Sequence, residues 1–226
     1  MNRFGGAEAV KGHAAMLTFS ALIGGSFSFG GLVANDIAPA VMQAMRFVLA
    51  AAIVGAVALA TGRLRRADFR APWRYLILGG LMAFYFVTMF EALKTAAPVS
   101  TSAVMTLMPI MTAGFSWLIL RQHLTRRMAE ALAVGAAGAL WVIFRGDLAA
   151  LVALDVGRGE VIFFMGCAAH ALYVPLTRWS HRGEAALATS FMILVAGAIV
   201  SAAYGWSAIR AAGFAAPAPY TPPPLP

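Results

Sequence analysis

The sequence predicts an all-α, polytopic transmembrane helix bundle of about seven helices, and three observations predict it. Hydrophobic residues make up 61% of the 226 and charged residues only 12%, with a mean hydropathy of +0.79; an ordinary soluble domain carries about 25% charged residues. Apolar runs of the length needed to cross a hydrocarbon core of about 30 Å, roughly 20 residues at 1.5 Å each, recur along the chain. The basic residues, which set a net charge of +8, collect in short clusters between those runs rather than along one face. That arrangement serves membrane topology and not a nucleic-acid partner.

The runs fall at residues 14–33, 39–60, 74–93, 98–120, 128–144, 161–179 and 185–206. The first follows Arg3 and Lys11 but is longer than the apolar core of a secretory signal, so it reads as a retained helix. Gly24, Gly25, Gly79, Gly80, Gly135 and Gly138 suit the close helix approach that membrane packing requires. Pro109 and Pro175 each free a backbone carbonyl and are expected to bend the fourth and sixth helices. Residues 207–226 hold six of the eleven prolines, which a spanning helix does not tolerate; this tail is expected to be disordered.

Lys and Arg counts orient the chain. With the N-terminus in the cytoplasm, twelve of the 17 fall inside: Arg3, Lys11, Arg63, Arg65, Arg66, Arg70, Arg74, Arg121, Arg126, Arg127, Arg178 and Arg182. Lys94, Arg145, Arg158 and Arg210 fall outside, and Arg46 stands within a helix. A cytoplasmic N-terminus is therefore expected. The single cysteine, Cys167, excludes an internal disulfide and reads as a small packing residue.

Three segments carry a likeness to a known family. Residues 91–109, EALKTAAPVSTSAVMTLMP, the helix-two stretch 44–50, AMRFVLA, and residues 117–125, WLILRQHLT, resemble EamA transporters of the drug/metabolite transporter superfamily. Where the family usually has a Gly-Glu pair leading into helix five, this chain has Arg121 and Gln122. The resemblance implies two inverted five-helix repeats. The chain then divides into a cytoplasmic N-terminus (1–13), a first repeat (14–144), an outer loop (145–158), the first two helices of a second repeat (159–206) and the proline-rich tail (207–226). An odd-numbered repeat must invert in the membrane, and the loop charges follow suit in part. The loop between helices one and two has no Lys or Arg, whereas its counterpart between six and seven has Arg178 and Arg182.

Within the spans, Arg46 is the first candidate for substrate contact, because a charge there is costly and usually faces a polar path. Gln43 lies one turn away on the same face, and the two can present an anion-binding edge; the competing reading is an Arg46 that snorkels to the outer surface. Glu91, an acidic residue near the outer end of the third predicted span, is the candidate for proton coupling, against pairing with Lys94 at i+3. His170 and Tyr173 in helix six, facing Ser26 and Ser28 of helix one, and Tyr85 and Thr88 in helix three, with Thr106, add polar groups. For a lone His and for most Ser and Thr, an interhelical or i−4 hydrogen bond is the simpler role.

The resemblance implies a permease moving a small metabolite, such as an amino acid or related compound, across the bacterial inner membrane by alternating access. Its partners would be that substrate and the lipid bilayer, with a homodimer open, no cofactor and no metal. The scattered His13, His123, His170 and His181 form no metal motif, and no Walker loop or nucleophile elbow occurs, so an ion gradient or the substrate's own gradient is the expected drive. The rivals are a truncated, non-transporting remnant, suggested by the prolines that replace the next helix, and a membrane-embedded enzyme or receptor, for which seven helices alone argue little.

Overall fold

The structure, a computed structural model, describes residues 6–33, 38–147 and 156–212. Among them are eight α-helices: α1 (Gly6–Val33), α2 (Pro39–Ala60), α3 (Trp73–Ala92), α4 (Pro98–Met105), α5 (Met108–Leu120), α6 (Arg126–Ile143), α7 (Arg158–Ser180) and α8 (Ala186–Ala212). α4 and α5 together make one segment, so the described residues form a polytopic helical bundle of seven helical segments, the number expected. Among the described residues, five segments are long and apolar enough to cross a bilayer: α2, α3, α4–α5, α7 and α8 up to Trp206. α6 opens on Arg126, Arg127 and Glu130, which place its first turn in the headgroup region rather than in hydrocarbon.

Local chemistry sets the boundaries. Pro39 and Pro98 occupy the first turns of α2 and α4, where a missing N–H costs nothing. Thr125 caps α6 by accepting from the backbone N–H of Met128 at 3.4 Å. Between α2 and α3, Asp68 caps the start of a 3-10 turn (Arg66–Phe69), its carboxylate accepting from the Arg65 N–H at 2.7 Å.

The fourth span is not the continuous helix that its hydropathy suggests. It breaks at Thr106 and Leu107, whose N–H groups donate to Ala103 and Val104, each 3.0 Å away and only three residues back. Pro109, in the first turn of α5, has no N–H to carry the helical ladder across the break. Pro175 by contrast stays inside an uninterrupted α7. Two ends also differ: α1 begins at Gly6 rather than residue 14, and α8 runs on to Ala212, into what reads as tail. Residues 213–226 lie outside the described residues.

α3 is the middle of the bundle, packed on α7, α8 and α2. Helices in lipid gain little from burying apolar surface against one another, so close contact decides the packing. A Cβ added to Gly79 would lie 2.5 Å from the Gly197 nitrogen and 2.8 Å from the Ile193 carbonyl oxygen, both on α8. On the other flank, Gly159 of α7 sits against the Ala92 carbonyl and Gly166 against the Thr88 side chain. α8 also runs antiparallel along α2, with Phe191 over Gly55, Phe47 over Gly197 and Val41 over Gly205. Outside this four-helix core, α5 and α4 lie on α7, while α6 and α1 lean on α4.

These contacts make a paired prediction. Gly79→Ala is expected to lower the thermal stability of the detergent-solubilised protein by about 1–3 kcal/mol, because the obstructing atoms are backbone. Gly80→Ala, where a Cβ meets nothing within 4 Å, should be neutral or stabilising by up to about 1 kcal/mol. Thermal unfolding curves of the two variants side by side test the packing.

Candidate functional site

Arg46 stands seven residues into α2, about 10 Å from its start. Its guanidinium lies over two rings of α3, 5.5 Å from the Phe86 centroid and 5.4 Å from Phe90. It has no ion pair or hydrogen bond among the described residues. A guanidinium at the centre of a membrane helix costs about 3 kcal/mol, and ring contacts of about 1 kcal/mol each offset part of that. Gln43, one turn away, is 2% exposed, and its Oε1 has no hydrogen-bond partner.

From Phe86 a row of ring contacts leads into the bundle. Phe86 meets Tyr85 edge-on at 5.0 Å, Tyr85 lies 4.8 Å from His170 of α7, and His170 lies 5.6 Å from Tyr173. Phe163 backs Tyr85 at 5.7 Å. Arg46, Tyr85 and the His170–Tyr173 pair, expected from three different helices, are thus joined in one array through Phe86. The Nδ1 of His170 is buried without a partner, whereas the Tyr85 hydroxyl reaches the Met105 sulfur at 3.9 Å.

Other expected residues are engaged locally. Thr88 donates to the carbonyls of Phe84 (2.8 Å) and Tyr85 (2.9 Å) and abuts Gly166, and Thr106 donates to Ala103 at 2.7 Å. Both fill the helix-internal role open to any membrane threonine. The Glu91 carboxylate pairs with Lys94 at 2.9 Å, the competing reading of that residue. Ser26 and Ser28 stand on α1, outside the residues whose side chains are described. Cys167 is fully buried beside Phe163 and Ala171, as a packing residue should be.

Phe86 and Phe90 escaped the sequence reading because aromatic rings in an apolar run look like lipid-facing ones; their i,i+4 spacing beside Tyr85 was the available signal. A second missed feature closes the arginine-rich end of the bundle. Arg74, 4% exposed, pairs with Glu184 at 2.8 Å. It also donates to the carbonyls of Ser180 (2.5 Å) and Arg70 (3.3 Å) and lies over the Tyr75 ring. Glu184 in turn accepts from the backbone N–H of Arg182 at 2.7 Å and lies 3.5 Å from His181 Nδ1. Partial burial pushes the Glu184 carboxyl up, but the hydrogen bonds from Arg74 and the backbone, with the Arg74 charge, outweigh it and hold it at about 2, against 4.5. This clasp ties the start of α3 to the turn between α7 and α8.

A cleft of about 700 Å³ opens elsewhere, between α5 and α6. Of the site residues expected from sequence, none lines it.

Fold and site define a multispan helical membrane protein with a charged and aromatic interior. The EamA-like transporter family matches residues 10–144, and the chain belongs to that family. It is 28% identical over 186 residues to the "Uncharacterized transporter YyaM" of Bacillus subtilis (strain 168), an alignment covering 81% of this chain and 61% of that protein. The chain thus spans about three fifths of that relative's length. No solved structure matches it.

The clasp predicts a pH signature. A carboxyl held at about 2 in the fold and 4.5 outside it contributes stability that is complete above pH 4.5 and is lost as the pH falls toward 2. Glu184→Gln should remove most of that dependence. It should also cost about 3 kcal/mol at neutral pH, because it leaves Arg74 buried without its counter-charge. Unfolding midpoints of both proteins between pH 2 and 7 measure it.

Proposed function

We propose that this chain takes part in moving a small anionic metabolite, such as an amino acid or related compound, across the bacterial inner membrane by alternating access. The observation that carries the reading is Arg46, a cation within a span, with aromatic neighbours and no acidic partner among the described residues. It is joined by ring contacts to the buried Tyr85, His170 and Tyr173. A substrate carboxylate would complete the charge of Arg46, and the unpartnered Gln43 Oε1 and His170 Nδ1 would receive its polar groups. Membership of a transporter family supports the reaction class. Glu91, committed to Lys94, leaves the substrate gradient or an ion bound elsewhere as the drive.

The arginine-rich end would face the cytoplasm under the positive-inside rule, with the N-terminus on that side and Arg46 nearer the outside. The Arg74–Glu184 clasp then seals the cytoplasmic end. Movement of the α7–α8 turn away from α3 would have to break it before substrate could pass inward. Alternating access requires a closure of this kind at one end.

In proteoliposomes assayed for counterflow across a panel of amino acids and related anions, Arg46→Ala is expected to lower transport at least about tenfold, the worth of one charge-assisted contact, while insertion is unchanged. Arg46→Lys should retain part, since an ammonium keeps the charge but not the planar stacking on Phe86 and Phe90. Normal transport by the alanine variant would remove Arg46 from the site.

A further inference from the structure

The cleft between α5 and α6 joins an apolar slot to a basic rim. α5 ends at Arg121, whose left-handed backbone (φ 52°, ψ 32°) turns the chain away before α6 starts. α6 then leans on α4 and scarcely touches α5. The slot left between them is about 700 Å³, walled by Met105, Met108, Thr112, Met128 and Leu132, with methionines supplying an adaptable apolar surface. Along α5 it extends from Met108 to the helix end, 13 residues or about 20 Å. That is the depth of one leaflet's hydrocarbon, about 15 Å, plus part of its headgroup layer.

At the mouth stand Gln122 and His123, which line the cleft, and the exposed Arg121, Arg126 and Arg127. Arg126 is shared with Glu130 at 3.0 Å; Arg121 and Arg127 have no acidic partner among the described residues. Topology accounts for the sign of this loop. It does not account for an apolar slot opening beneath it. Basic residues at the membrane surface above an interhelical apolar groove match the two ends of one class of molecule.

We propose that this cleft binds an anionic phospholipid from the leaflet at the arginine-rich end, with an acyl chain in the slot and the phosphate between Arg121 and Arg127. Met105 would be the point of contact with the central array, because it lines the slot and receives the Tyr85 hydroxyl. The inference needs the membrane and not the transport activity.

The test uses the purified full chain, delipidated in detergent and titrated with phosphatidylglycerol or with phosphatidylcholine of the same acyl chains. Retained lipid is measured by mass spectrometry and the unfolding midpoint is followed in parallel. Phosphatidylglycerol should be retained at least about threefold over phosphatidylcholine and should raise the midpoint, as any ligand of the folded state does. Arg121→Gln with Arg127→Gln, both on exposed positions, should erase the preference, and lysine at both positions should keep it. Ala131→Trp, which fills the slot, should lower retention of both lipids. Equal retention of the two lipids, or a preference unchanged in the glutamine variant, would overturn the proposal. So would efficient disulfide cross-linking of two Ala131→Cys chains in a Cys167→Ser background, which would give the slot to a second copy.

Discussion

Backbone meets backbone where Gly79 of α3 approaches Gly197 and Ile193 of α8. Much of the interior is arranged from that contact. In lipid there is no hydrophobic gain to draw helices together, so a bundle is held by close-range dispersion over surfaces that fit. α3 offers such a surface on two flanks: its own Gly79 admits α8, and Gly166 and Gly159 of α7 admit α3. A side chain at any of these positions would push a neighbouring helix outward and separate groups that now touch across the gap.

Because α3 is fixed on both flanks, its two ends carry two different charged assemblies in register. Arg74 at its start meets the turn between α7 and α8, and Phe86 and Phe90 near its end receive Arg46 from α2. From Arg74 to Phe90 the helix rises about 24 Å. A displacement of α7 and α8 relative to α3 would strain the clasp at one end and the Tyr85–His170 contact midway. That mechanical link is made by packing rather than by any one hydrogen bond.

The sequence made the spans legible because hydrocarbon thickness imposes a length on apolar runs, and it made Arg46 legible because a charge there stands out. It was less informative where that solvent ends. α1 starts eight residues earlier than its apolar run and α8 continues to Ala212, since helices extend into the interface where hydropathy carries no signal. The break between α4 and α5 was foreshadowed by Pro109 but hidden by unbroken hydropathy. Glu91 and Thr88 resolved to local partners three or four residues away, as helix periodicity allows. The Arg74–Glu184 pair joins positions 110 apart in the chain, and no periodicity in one sequence links them.

Arg46 and Arg74 show how the same side chain takes opposite roles. Arg74 is nearly inaccessible, and a carboxylate, two carbonyls and a ring surround it. Removing its partner would strand a buried charge, the costly outcome, so its geometry is that of a fastener. Arg46 is exposed, lies over the faces of two rings and lacks an acceptor among the described residues. Rings orient a guanidinium without neutralising it. Its charge therefore has no counter-charge among the described residues, whereas Arg74 has Glu184. The charge that has a carboxylate partner fastens α3 to the turn between α7 and α8, and the charge without one among the described residues is the candidate proposed above for binding.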